Sequence, residues 1–230
     1  VTLRAVLLDA GGVLVNPNWS RVADALARRG VDVAAERLAA AEPRAKRGLD
    51  TAERVRATND RSRGWKYFNL VLEQAGIALS DATDDALAEL HEYHRLHNLW
   101  ESVPEEVPPA LAALKRLGLP MAVASNANGT VRAKLERLDL ARWFDLVIDS
   151  QELGVEKPDP ALFAFALERL GVAAEATVHV GDFFHIDVVG ARAAGLHAWL
   201  LDSAGLYADH DVPRFATLTA VAEAVAARVA

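Results

Sequence analysis

RAVLLDAGGVL, residues 4–14, sets an aliphatic run directly before an aspartate and two glycines. Ala5 to Leu8 has the unbroken apolar character of a strand buried on both faces. Asp9 follows where that strand ends, in a turn that Gly11 and Gly12 make flexible. In open α/β sheets ligands bind at this place, beyond the carboxyl ends of the strands. Arg4–Asp9 has four counterparts of similar character: Met121–Ser125, Asp145–Asp149, Thr177–Gly181 and His197–Leu201. Segments of helical period separate them, which predicts an α/β fold with a doubly wound parallel sheet. Asp159 before Pro160 reads as an N-cap with proline at the first helical position, and Gly171 closes that helix. Pro108 and Pro109 open another helix, which Gly118 ends.

The alternation is interrupted once. Between Gly12 and about Ser102 the pattern is helical throughout, over Trp19–Arg29, Val33–Arg47, Thr51–Gln74 and Asp81–Trp100, with Gly30, Gly48 and Gly76 between them. This predicts an inserted four-helix cap domain, residues 16–102, with residues 1–15 and 103–230 forming the α/β core. The return linker is expected over Glu101–Val107, which carries Pro104.

A hydrophobic share of 52% with 25% charged residues is ordinary globular composition, so 230 residues can bury a sizeable core. No apolar run approaches the ~20 residues of a membrane span. The amino-terminal apolar stretch lacks a basic region and a cleavage site, so it reads as a strand rather than a signal peptide. The chain has no cysteine, which excludes disulfides, thiolate metal sites and cysteine nucleophiles and suits a cytoplasmic protein. A net charge of −7 argues against a general nucleic-acid surface. From Arg44 to Lys66 the sign reverses, with eight basic residues against three acidic ones, and a solvated helix face is the expected reading.

Four sites fall at predicted strand ends: Asp9 to Leu14, Ser125-Asn126, Lys157-Pro158, and Gly181-Asp182 through Asp187. Singly each is ordinary, since strand-end acids and Ser-Asn pairs often begin turns. Their order and placement together resemble the haloacid dehalogenase-like (HAD) hydrolase superfamily over essentially the whole length. The matching features are the aspartate-first motif, the helical insert after it, the strand-end serine, the Lys-Pro pair, and GDFFHID followed by VVGARAAG. The sequence is most similar to small bacterial members with a helical cap.

That resemblance implies a Mg²⁺-dependent hydrolase, a phosphatase acting on a small phosphorylated metabolite, with no membrane or nucleic-acid partner. Asp9 would be the nucleophile, forming an aspartyl-phosphate. Asp182 would bind the metal with Asp9 and the backbone carbonyl of Gly11, and Asp187 would bind it directly or through water. Lys157 would neutralise nucleophile and phosphoryl group, while Ser125 and Asn126 would bind phosphate. The sequence departs from the family pattern at Gly11, where most such phosphatases carry a second aspartate as general acid and base. Substrates with good leaving groups are then expected to react best. His185 is the candidate replacement, beside its plain reading as a turn histidine. His91, His94 and His97 are expected to be structural or substrate-facing, Trp65, Tyr67 and Phe68 to be core, and Asn128 to stabilise its loop. Two alternatives remain open. One is a phosphonate-cleaving hydrolase using Lys46 or Lys66, and the other a phospho-ligand binding or regulatory protein with weak or lost turnover.

Overall fold

Ala5–Leu8 (β1) is a strand of four buried aliphatic residues at the centre of a six-stranded sheet. The structure, a computed structural model, describes residues 2–229 apart from the side chains of residues 60, 61 and 65. The expectations for Trp65 and for Asp60 and Arg61 of the basic run therefore lie outside the described residues. The remaining strands are β2 (Asn16–Pro17), β3 (Trp100–Ser102), β4 (Met121–Ser125), β5 (Leu146–Asp149), β6 (Thr177–Gly181), β7 (His197–Leu201) and β8 (Arg214–Phe215). The helices are α1 (Trp19–Ala27), α2 (Ala35–Leu49), α3 (Ala52–Ala57), α4 (Asp60–Gln74), α5 (Asp81–His97) and α6 (Val107–Arg116). After β4 come α7 (Val131–Arg137), α8 (Ser150–Leu153), α9 (Pro160–Leu170), α10 (Val189–Ala193) and α11 (Leu218–Ala226).

The large sheet runs β5-β4-β1-β6-β7-β8, and every neighbouring pair is parallel. In register, Val6 lies opposite Met121 on one side and Val178 on the other. Leu7, Ala122, Ala124 and Ile148 share a buried cluster with Leu162, Phe163 and Ala166 of α9 and Ala191 of α10. Val6, Leu8 and Val123 alternate to the opposite face and are equally buried, so apolar residues line both faces of the sheet. This is the doubly wound α/β core that the strand pattern predicts.

The chain divides into two compact units, Val1–Asn16 with Ser102–Ala230, and Pro17–Glu101. Where it passes between them, β2 and β3 pair as a two-stranded sheet. The second unit holds five helices where four were expected. Thr58 is extended (φ −136°), and Asn59 starts a new helix by capping the Ser62 N–H, with the Ser62 hydroxyl accepting from Asn59 in return. The segment read as one helix over Thr51–Gln74 is thus α3 and α4. The last helix also stops early, because Asn98 turns to φ 64° and the Leu99 N–H donates to His94 Nδ1 at 3.1 Å. Trp100 then belongs to β3. Tyr67 is buried among Trp19, Phe68 and Trp100, with ring centroids 5.1–6.3 Å away, and its hydroxyl donates to Glu42 at 2.7 Å. In the basic run Arg44, Arg54, Arg56 and Lys66 are exposed, whereas Arg63 is buried. Among the described residues no helix is long and apolar enough to cross a membrane.

Candidate active site

The register of β1 against β6 decides what meets at the strand ends. Leu8 lies opposite Val180, and the Asp9 N–H still donates to the Val180 carbonyl at 2.9 Å. Asp9 and Asp182 therefore leave adjacent strands side by side. The chain then makes a π-helical turn over Phe184–Val188, which brings Asp187 back. Asp9, Asp182 and Asp187 each offer an oxygen, and these atoms all lie within 4.8 Å of one another. Hard carboxylate oxygens at that spacing could hold a metal ion. Gly181 makes the return possible, since a Cβ there would stand 2.0 Å from Asp187 Cγ.

Lys157 is wholly buried and joins two of the acids. Its Nζ donates to Asp187 Oδ1 at 2.6 Å and lies 3.1 Å from Asp9 Oδ1. Asp9 Oδ1 also accepts the Ala10 N–H at 2.7 Å. Asn126, just beyond β4, grips the main chain of Lys157 through both amide atoms of its side chain. Behind Lys157, a Cβ on Gly190 would come within 2.9 Å of Pro158, so α10 packs directly against the Lys-Pro segment. Ser125 is buried at the end of β4, and its hydroxyl makes only a long 3.5 Å contact with the Asn126 carbonyl.

His179 of β6 completes this arrangement. Its Nε2 lies 3.0 Å from Asp187 Oδ1, and the Phe183 N–H donates to Asp187 Oδ2 at 3.0 Å. Both oxygens of Asp187 are thus engaged by protein donors. Burial alone would raise the Asp187 carboxyl, but Lys157 and His179 outweigh it and hold the group below the usual carboxylate range. Burial likewise works against the Lys157 charge, and the carboxylates of Asp187 and Asp9 reverse the balance, holding the ammonium above the ordinary lysine value. For His179 burial prevails and pushes the imidazole down. Facing a carboxylate oxygen that can only accept, Nε2 is the donor of this contact.

A profile of the haloacid dehalogenase-like hydrolases matches residues 3–195. The chain belongs to that family. It is 41% identical over 110 residues to the ribulose-1,5-bisphosphate 5-phosphatase of Halopiger xanaduensis, covering 45% of this chain and 46% of that protein. It is 40% identical over 138 residues to the phosphoserine phosphatase of Thermus thermophilus, covering 60% of this chain and 53% of that one. The chain spans about half the length of the curated relatives it matches. Among solved structures, the 2-haloacid dehalogenase of Pseudomonas syringae pv. Tomato DC3000 superposes with a TM-score of 0.60 at 27% identity, covering 98% of this chain and 99% of that one.

As an HAD hydrolase the chain brings Asp9, Lys157, Asp182 and Asp187 together, with Ser125 and Asn126 at the end of the neighbouring strand. Gly11 bridges to Val15 within the turn after β1, and the left-handed glycine of that turn is Gly12 (φ 72°). His185 sits on the π-helical turn with its ring against Phe184 (5.2 Å) and facing His210 (6.0 Å). Asn128 accepts from the Thr130 hydroxyl inside its own loop. Lys46 lies 3.8 Å from Glu42, one helical turn away. Sequence reasoning passed over His179, although a histidine between two valines of a buried strand is a polar residue where the pattern supplies none. It also passed over Lys134 of α7, which is buried on the apolar stripe of Val131 and Leu135.

Proposed function

We propose that this chain is a Mg²⁺-dependent phosphatase that acts on a small phosphorylated metabolite through phosphorylation of Asp9. The observation that carries the reading is the Lys157 ammonium held between Asp9 and Asp187, beside a third carboxylate, at the ends of adjacent strands. Relatives named as phosphatases of small phosphorylated metabolites support the substrate class.

The donor set fits a hard divalent cation. Asp9, Asp182 and the Gly11 carbonyl would hold Mg²⁺ directly, and Asp187, with both oxygens already accepting, would reach it through water. Bound there, Mg²⁺ supplies positive charge that lets a carboxylate approach a phosphate dianion. Asp9 Oδ1 is engaged by Lys157 and Ala10, which leaves Oδ2 to attack phosphorus. A new Oδ2–P bond forms as the bond from phosphorus to the leaving oxygen breaks, and the electron pair departs with that oxygen. Lys157 offsets charge on Asp9 and on the group in transfer, and Ser125 donates to a phosphoryl oxygen. A water then attacks phosphorus, the Oδ2–P bond breaks, and inorganic phosphate is released with Asp9 restored.

Gly11 can neither protonate a leaving group nor deprotonate that water. General acid–base catalysis contributes roughly 10²–10⁴-fold, so alkyl phosphates should turn over slowly and the second step should limit the rate. With acetyl phosphate and Mg²⁺ the expected result is a burst followed by slow release, with phosphorylated Asp9 detected by intact mass. Asp9→Asn should abolish both. Gly11→Asp should shorten the intermediate's lifetime and speed alkyl phosphates more than acetyl phosphate. A folded Gly11→Asp protein with unchanged rates on both would point to another acid/base, His185 first. Gly11 also favours a second reading, a phospho-ligand binding protein with weak turnover, for which no burst would appear with any substrate.

A further inference from the structure

Lys134 stands where the helical pattern calls for an apolar residue. Val131, Lys134 and Leu135 are the buried residues of α7, and Lys134 is only 4% exposed. Helical side chains lean toward the helix N-terminus, so a long side chain at this position runs back toward the end of β4. Two acids at the strand ends act on it electrostatically, Asp9 after β1 and Asp149 at the end of β5. Neither pairs with it. Asp149 is already engaged by the N–H groups of Gln151, Gly129 and Val131 at 2.9–3.2 Å. Among the described residues the Lys134 ammonium makes no hydrogen bond and no ion pair.

A lysine buried along its length with no protein partner for its charge is expensive to keep, which makes it a candidate for a functional group. The other buried lysine shows the contrast, since Lys157 has two carboxylates. Charge at the site gives the unpaired one a task. Three carboxylates are balanced by Lys157 together with a divalent cation, so an incoming phosphate dianion arrives without a counterion. Lys134 is a cation that the field of Asp9 reaches.

We propose that the Lys134 ammonium is a second cation of the crevice at Asp9 and pairs with the phosphoryl group of the substrate. The assignment rests on the phosphatase reading of Asp9 and adds to it a binding residue from the β4–β5 side of the sheet. Affinity for inorganic phosphate in saturating Mg²⁺, measured by calorimetry, tests it. Lys134→Met should weaken phosphate by roughly ten- to hundredfold, the range for losing a charged hydrogen bond, while Lys134→Arg recovers most of the affinity. The melting temperature of metal-free Lys134→Met should not fall, because the substitution removes an unpaired buried charge. Phosphate binding within twofold of wild type, or a sharp loss of stability with unchanged binding, would overturn the proposal and leave Lys134 as a counterion of Asp149. Should Lys134→Met not fold, the ¹³Cε resonance of Lys134 in the wild type, assigned through Lys134→Arg, decides. A shift at saturating phosphate supports the pairing and no shift refutes it. A wild type that binds no phosphate at all overturns this proposal and the phosphatase reading together.

Discussion

Asn126 holds Lys157 by both ends of one amide: Oδ1 accepts the Lys157 N–H at 2.7 Å, and Nδ2 donates to the Lys157 carbonyl at 2.9 Å. The loop after β4 is thereby fastened to the segment that carries the buried ammonium. Lys157 is fixed at its base by Asn126 and at its tip by Asp9 and Asp187. Asn126→Ala leaves two partly buried main-chain groups without partners, and about 1–3 kcal/mol of stability should be lost. Turnover should fall more than KM rises, because the lysine loses its position and not its charge. Urea denaturation and steady-state kinetics on one variant check both.

Removing the ammonium is a harsher change. Lys157→Met leaves the Asp187 carboxylate buried with only His179 and the Phe183 N–H as partners. Breaking one side of a buried ion pair costs about 3–5 kcal/mol, and the metal-free protein should lose about that much in denaturant. Adding Asp187→Asn removes the stranded charge, so the double variant should be more stable than the sum of the two single losses predicts. Additive losses would mean that the two groups do not depend on each other.

Gly181→Ala should damage the site without replacing any charged group. The new methyl would lie 2.0 Å from Asp187 Cγ and 2.3 Å from its Cβ. Asp187 is held by three donors and cannot swing aside cheaply. Mg²⁺ affinity should drop about tenfold or more, as it does when the groups supporting metal ligands are disturbed. Calorimetric Mg²⁺ titration of the folded variant is the check, and wild-type affinity would show that Asp187 takes no part in holding the metal.

Burial pushes Lys134 down to about 8, against the pull of Asp9 and Asp149 and with a small further push from Arg137. In the unfolded chain the same group titrates near ~10.4. Between these values the unfolded state binds more protons than the folded one, so this group makes stability rise with pH. Below about 8 its burial cost is present in full. Lys157, displaced in the opposite direction, adds its loss only above ~10.4, outside the window. Metal-free wild type should therefore gain stability relative to Lys134→Met as pH goes from about 8 to about 10. A difference that stays flat across that range would place the Lys134 titration elsewhere.

Buried parallel strands write themselves into sequence as unbroken aliphatic runs. Met121–Ser125, Thr177–Gly181 and His197–Leu201 accordingly have the bounds their sequences predict. β8 is two residues long, too short to carry a period, and it is absent from the pattern. The break between α3 and α4 contains neither glycine nor proline. It depends on an Asn59–Ser62 cap that resembles many other polar pairs. At the site, the acids and Lys157 are legible because they close strand ends. The double engagement of Asp187 is not, since its donors come from β6, the turn after it and a loop thirty residues away. His179 and Lys134 were legible in principle, each a polar residue in an apolar register.

The position of β1 also governs the order in which the molecule can be made. This early strand is sealed on both sides by strands that emerge much later, Val6 against Met121 and Val178. At ~5–20 residues per second, the wait between synthesis of β1 and of β6 is roughly 10–35 seconds. The helices of Pro17–Glu101 depend on nearer neighbours and are complete long before then. Until β4 emerges both edges of the apolar ribbon Ala5–Leu8 are open, and until β6 follows one edge still is, the kind of segment that pairs with other nascent chains. Yield in a cell should therefore depend on what shields these four residues during translation as well as on the stability of the finished sheet.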